Sequence, residues 1–305
     1  MSVRALLRGA RLALHLAWGM LLALPYPHLP PGRQHRMLQS WSRQLLSILG
    51  VGVRVDGLPS ARDGNACLIV ANHVSWLDIF ALNAVRPSRF VAKSEVRGWP
   101  LIGWLCRRTG TIFIDRDLRR NAATVNRHVA AQLERGARVS LFPEGTSTDG
   151  RGVGHFHSAL IQPAIDAGVV LVPVALRYRH EDGGHCDAAA YVGDMTLSGS
   201  IWRILRGRRF DAWLTFAPAL ATAGENRRTL ARAAQQAIAH ELTMVIPSSS
   251  AATPQTPRPT PTRRAVCLRA HCGVAACLWR MTPLRSPRLA LHPAGKRRWA
   301  GNLLK

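Results

Sequence analysis

A chain of 305 residues can hold one sizeable α/β domain with a true core plus appendages, and is short for two full domains. Its 41 Lys and Arg against 17 Asp and Glu give a net charge of +24, so the surface is strongly cationic and its partners are expected to be anionic. Three Tyr and seven Phe provide no base-stacking signature, which points the charge toward an anionic membrane surface and away from specific nucleic-acid recognition.

The N-terminus carries Arg4, Arg8 and Arg11 and then an apolar run from Leu12 to Pro25. A basic start and an apolar middle suit a signal peptide, but no small-residue cleavage site follows. The run is shorter than the ~20 residues of a spanning helix, so an interfacial anchor is expected. Pro25, Pro27, Pro30 and Pro31 interrupt it. From Gln34 to Leu49, Met37, Leu38, Trp41, Leu45, Leu46 and Leu49 recur at helical spacing, making residues 1–50 a helical hairpin for the bilayer.

Residues 51–246 alternate short apolar runs with helical patterns, the mark of an α/β sheet. Strands are expected at Gly52–Val55, Ala66–Ala71, Ser88–Ala92, Thr111–Ile114, Arg138–Phe142, Val169–Leu176, Ala188–Val192 and Ala212–Phe216. Helices are expected at Leu118–Arg135, with Gly136 as its stop, at Ser158–Ala167 and at Glu225–Met244. Beyond Ile246 the composition becomes rich in Pro, Ser and Thr and then basic. Residues 251–305 hold eleven Lys or Arg and no acidic residue, so residues 247–305 read as a linker and a disordered basic tail. The six Cys include no Cys-x-x-Cys pair. Cys267, Cys272 and Cys277 with His271 match no standard zinc spacing and read as incidental thiols.

Two stretches carry chemistry. The buried-strand pattern Cys67–Ala71 delivers Asn72 and His73 to its C-terminal end, where open α/β sheets place their sites. Asp78 follows a little more than one helical turn later, within reach of the imidazole, which it can fix in one tautomer so that His73 takes a proton from a hydroxyl. Downstream, Phe142-Pro-Glu144-Gly145-Thr146-Ser147 follows another apolar run and forms a second loop of the same kind. Ser75 lacks the Gly-x-Ser-x-Gly elbow of a nucleophile.

Asn72-His73-x4-Asp78, Gly110-Thr-Ile-Phe-Ile-Asp-Arg116, Phe142-Pro-Glu-Gly-Thr146 and Val172-Pro-Val-Ala175 stand in the order and spacing of the four motif blocks of the glycerolipid acyltransferases. The chain therefore resembles that family, in particular bacterial 1-acylglycerol-3-phosphate acyltransferases, over Val51 to Leu176. The resemblance implies a single α/β acyltransferase domain with a mixed sheet flanked by helices. It also implies direct transfer of a fatty acyl group from coenzyme A or acyl-carrier protein to a lysolipid hydroxyl, with His73 as base, Asp78 as its orienter and no cofactor or metal. It assigns Asn72, Arg116, Glu144, Gly145, Thr146 and Ser147 to the acceptor side, and places the enzyme on the cytoplasmic face of the inner membrane. Many members have Arg where Ser147 stands here, and Lys near Phe156-His157-Ser158, leaving Arg151 or His157 as substitute anion ligands. The wording Val74-Ser-Trp-Leu-Asp78 and Lys93-Ser-Glu-Val-Arg97 is similar to the lyso-ornithine lipid branch. A catalytically silent basic protein is the reading from another class, and it has no use for the His-Asp pair.

Overall fold

The structure, a computed structural model, describes residues 3–57, 66–99, 101–114 and 118–244. Arg116 and the expected linker and tail lie outside the described residues. Helix α1 (Val3–Ala23) and helix α2 (Pro31–Leu49) are joined through a short 3-10 turn, and α2 ends on Gly50 in the left-handed conformation. There follow β1 (Val51–Asp56), β2 (Cys67–Ala71), α3 (Leu77–Val85), β3 (Arg89–Lys93), α4 (Ile102–Arg108), β4 (Ile112–Ile114), α5 (Leu118–Glu134) and β5 (Arg138–Leu141). The last elements are α6 (Gln162–Asp166), β6 (Val170–His180), α7 (Leu197–Arg206), β7 (Phe210–Phe216) and α8 (Arg227–Thr243).

The seven strands form one mixed sheet in the order β1-β7-β6-β2-β5-β3-β4. Neighbours run parallel except β6 and β7, which pair antiparallel from Val174–Phe216 to His180–Phe210. Strand β2 lies between β5 and β6 and is buried along its whole length, as a parallel strand covered on both faces must be. On one face Ile69, Val174, Leu176 and Leu214 join Leu45, Leu46 and Leu49 of α2 and Leu77 and Leu82 of α3. On the other, Leu68, Val70, Val139 and Leu171 meet Val129 and Leu133 of α5 and Leu230 and Ile238 of α8.

Three expectations change. Ala188–Val192 is not a strand: Ala189 and Ala190 donate their amides back to Cys186 and Asp187, so the alanine run turns instead of pairing along a neighbouring strand. Ser158–Ala167 divides into a 3-10 turn (Ser158–Leu160) and the short α6, with Pro163 at the start of the latter. Helix α7, unforeseen, is capped by the Thr196 side chain, which accepts from the Gly199 amide.

Helix α1 also differs: at 21 residues it starts well before the apolar run, and among the described residues it is the one helix long and apolar enough to cross a membrane. One stripe of it, Ala5, Leu12, His15, Gly19 and Ala23, is buried. His15 stacks on Trp41 with ring centroids 4.8 Å apart and its Nε2 lies 3.1 Å from the Trp41 carbonyl. Gly19 is the point of closest approach: a Cβ there would lie 2.6 Å from Trp41 Nε1, whereas one on Gly32 meets nothing within 4 Å. Gly19→Ala is therefore expected to lower stability by roughly 1–3 kcal/mol in denaturant unfolding, while Gly32→Ala is neutral or slightly stabilising.

Candidate active site

Where β2 ends, the chain turns through Asn72–Trp76 into α3, and that turn is organised by one side chain. Asp78 is 0% exposed. Its Oδ2 accepts hydrogen bonds from His73 Nδ1 at 2.8 Å, the Val74 amide at 2.7 Å and the Ser75 amide at 3.0 Å. Its Oδ1 accepts from the Tyr178 hydroxyl at 2.7 Å. A carboxylate that takes the Nδ1 proton into a hydrogen bond leaves Nε2 as the basic nitrogen. The His73 side chain remains 22% exposed, and Nε2 has no partner among the described residues. The imidazole lies flat on Phe142, centroids 4.1 Å apart and planes 10° off parallel, which fixes its second rotational freedom.

The loop after β5 closes against the same turn. Glu144 Oε1 accepts from the His73 amide at 3.3 Å, and the Thr148 amide donates to the His73 carbonyl at 2.8 Å. The other Glu144 oxygen is buried, with the Gly154 backbone close by. Burial pushes the Glu144 carboxyl up to about 7, against the opposing pull of the His73 amide. Gly145 sits at φ +70°, a conformation that glycine adopts without strain, and with Thr146 it stays exposed. The Ser147 hydroxyl donates to the Tyr191 carbonyl, and the Tyr191 amide in turn donates to the Val74 carbonyl at 2.9 Å. Burial, and next the negative Asp78, hold the Tyr178 phenol well above its ordinary range, so it stays a donor.

The structure thus brings His73, Asp78, Glu144, Gly145, Thr146 and Ser147 together, and Arg116 lies outside the described residues. Asn72 departs from the expectation of a substrate contact. It is fully buried, its Nδ2 donates to the Leu176 carbonyl and its Oδ1 accepts from the Leu176 amide, both at 2.8 Å, so neither end of the amide is left for a ligand. Arg151 is held by Asp187 at 3.0 Å and Asp149 at 3.6 Å, whereas His157 is exposed beside Gly145. Tyr178 was not foreseen, because a hydroxyl 100 residues from its partner leaves no local pattern. A cavity of about 240 Å³ is lined by Gly150, Arg151, Arg177, Arg179 and His185, and His73 is not among its lining residues. Its cations are committed, Arg177 to the carbonyls of Glu241, Leu242 and Met244 at the end of α8 and Arg179 to that of Gly183.

This constellation has relatives. Residues 52–177 match the family model described as Acyltransferase. A lyso-ornithine lipid O-acyltransferase of Pseudomonas aeruginosa is 40% identical over 244 residues, 77% of this chain and 92% of that one. The chain belongs to the acyltransferase family. A 1-acyl-sn-glycerol-3-phosphate acyltransferase of Neisseria meningitidis is 41% identical over 186 residues, 61% of this chain and 72% of that one. Among solved structures, the 1-acyl-sn-glycerophosphate acyltransferase of Thermotoga maritima shares the fold with a TM-score of 0.51 at 21% identity, covering 77% of this chain and 96% of that one. The chain is accordingly an acyltransferase enzyme with a mixed sheet flanked by helices.

The Glu144 carboxyl yields a pH test. A group that holds its proton more tightly in the native state than in the unfolded chain favours folding at low pH, and that advantage is lost as pH rises from the ordinary value near 4.5 through about 7. Glu144→Gln removes the titration. Denaturant midpoints measured between pH 4.5 and 8 are expected to move in favour of the variant over wild type up to about pH 7, and then to run parallel.

Proposed function

We propose that the enzyme transfers a fatty acyl group from a coenzyme A or acyl-carrier-protein thioester to the free hydroxyl of a lysolipid, with 1-acylglycerol-3-phosphate as acceptor and phosphatidate as product. The observation that carries this reading is the His73–Asp78 pair: a partly exposed imidazole stacked and tethered so that Nε2 is its one open nitrogen. Nε2 takes the acceptor's hydroxyl proton as the oxygen attacks the thioester carbonyl; the thiol leaves as that proton is returned to it. Asp78 keeps the tautomer and stabilises the imidazolium in between. The reaction uses only the thioester and the hydroxyl, with no cofactor. Gly145, Thr146 and Arg116 hold the polar head, consistent with the exposure of the Gly145–Thr146 turn beside the imidazole loop.

A second acceptor, lyso-ornithine lipid, is favoured by Ser147. Its hydroxyl is closed onto the Tyr191 carbonyl and brings no cation to the position after the Glu-Gly-Thr turn. The 40% identical relative with that acceptor in its name also aligns over more of this chain than the glycerol-phosphate one, 77% against 61%.

We also propose that α1 lies against an anionic bilayer at the cytoplasmic face of the inner membrane. Opposite its buried stripe, Val3, Leu7, Leu14, Trp18 and Leu21 are exposed on one face, with Arg4 and Arg11 beside them. Deleting residues 1–50 would open the core, because Leu12, Leu45, Leu46 and Leu49 belong to it.

The activity test offers acyl-coenzyme A and acyl-carrier protein with lysophosphatidate and lyso-ornithine lipid in parallel. His73→Ala is expected to lose about 10²- to 10⁴-fold in kcat, and product from neither acceptor with folded wild-type enzyme would refute the reading. For the membrane, Leu7, Leu14 and Leu21 together changed to Gln are expected to weaken binding to vesicles containing anionic lipid by at least about tenfold in a flotation assay, with the unfolding midpoint unchanged.

A further inference from the structure

The structure assigns to Tyr178, on β6, the part of a positioning residue that acts on catalysis through Asp78. The inference rests on the acyl transfer proposed above. Three of the four hydrogen bonds to Asp78 come from its own loop, and all three land on Oδ2: His73 Nδ1, the Val74 amide and the Ser75 amide. Oδ1 has the Tyr178 hydroxyl, at 2.7 Å, as its one donor among the described residues. Without it, one oxygen of a fully buried carboxylate has no donor, and the bonds to Oδ2 alone are left to hold the carboxylate against rotation about its Cβ–Cγ bond.

That rotation is the property that matters. Oδ2 must stay in the plane that serves the imidazole and both amides at once, so the Tyr178 hydroxyl acts as a stop on the far side. The phenol is built for one function. Its ring is buried, packs edge-on against Phe210 with centroids 5.8 Å apart, and its backbone carbonyl accepts from the Cys186 amide. Besides burial, the titratable groups that act on the phenol are Asp78, which accepts from its hydroxyl, and Cys186, and both resist loss of the phenol proton. Tyr178 has no route to substrate, being 1% exposed, so it differs from His73 in touching neither acceptor nor donor.

Removing the hydroxyl while keeping the ring should therefore lower the rate of the chemical step and leave substrate binding alone. In full-length enzyme, Tyr178→Phe is expected to reduce kcat roughly tenfold with KM for the lysolipid changed less than about twofold, and to displace the acidic limb of the kcat–pH profile. In an Asp78→Asn background the same substitution is expected to cost less than about twofold, because the partner through which it acts is gone. Equal losses in both backgrounds, or a pure KM effect, would overturn the inference and leave Tyr178 as core filling.

A second readout does not need turnover. The downfield proton resonance of His73 Nδ1, assigned by its absence in His73→Ala, is expected to shift or broaden in Tyr178→Phe. An unmoved resonance overturns the inference. Lack of acyl transfer by wild type, with the resonance still moving in the variant, would instead refute the acceptor chemistry and uphold the positioning role.

Discussion

A negative charge without water is the constraint on which this molecule turns. Burying a lone carboxylate costs several kcal/mol even after relaxation, so Asp78 is tolerable at 0% exposure only because its surroundings are arranged to donate to it. Four donors do so, two of them backbone amides whose direction depends on the whole course of the chain between β2 and α3. The turn from strand to helix is thus shaped around the carboxylate, and the imidazole is one of the donors it demands. Catalytic geometry and electrostatic solvency are the same arrangement seen from two sides.

Much of this was legible in the chain. An uninterrupted apolar run marked β2 because a strand covered on both faces needs no alternation, and β2 ends where Asn72 and His73 begin. The spacing of His73 and Asp78, a little more than one helical turn, by itself places the pair within reach. What was hidden depended on partners remote in sequence. Tyr178 reaches Asp78 across 100 positions, and Asn72 reads as a site residue until Leu176 is seen to occupy both ends of its amide. The run Ala188–Val192 has the composition of a strand and buries Ala189 and Ala190, but such burial is equally available to a chain of turns. Helix α7 has Leu197, Ile201, Ile204 and Leu205 at helical spacing, but Gly199 in its first turn counts against a helix.

Around the carboxylate the loops form a closed set of mutual ties. Glu144 holds the amide of His73 and Thr148 its carbonyl; Tyr191 holds Val74, and Ser147 holds Tyr191. Every one of these bonds joins a residue at the end of β2 to the segment after β5 or to the segment after β6, or joins those two to each other. The site is therefore supported from three places in the chain, and the imidazole's backbone has both its polar groups engaged. Such a frame keeps a base oriented between turnovers without help from substrate.

The double hydrogen bond between Asn72 and Leu176 carries one more consequence, for assembly and not for chemistry. Strands of a parallel sheet can pair in more than one alignment, and a slip of a single residue turns every side chain to the opposite face. On β6 such a slip would carry Arg177 toward the carboxylate and swing Tyr178 into the layer that belongs to α8. Asn72 opposes that slip, since its two ends match the amide and carbonyl of Leu176 and the backbone groups of the next residue point to the other side of the strand. It serves as the notch in which the lock is cut: the strand must be home before the site can exist.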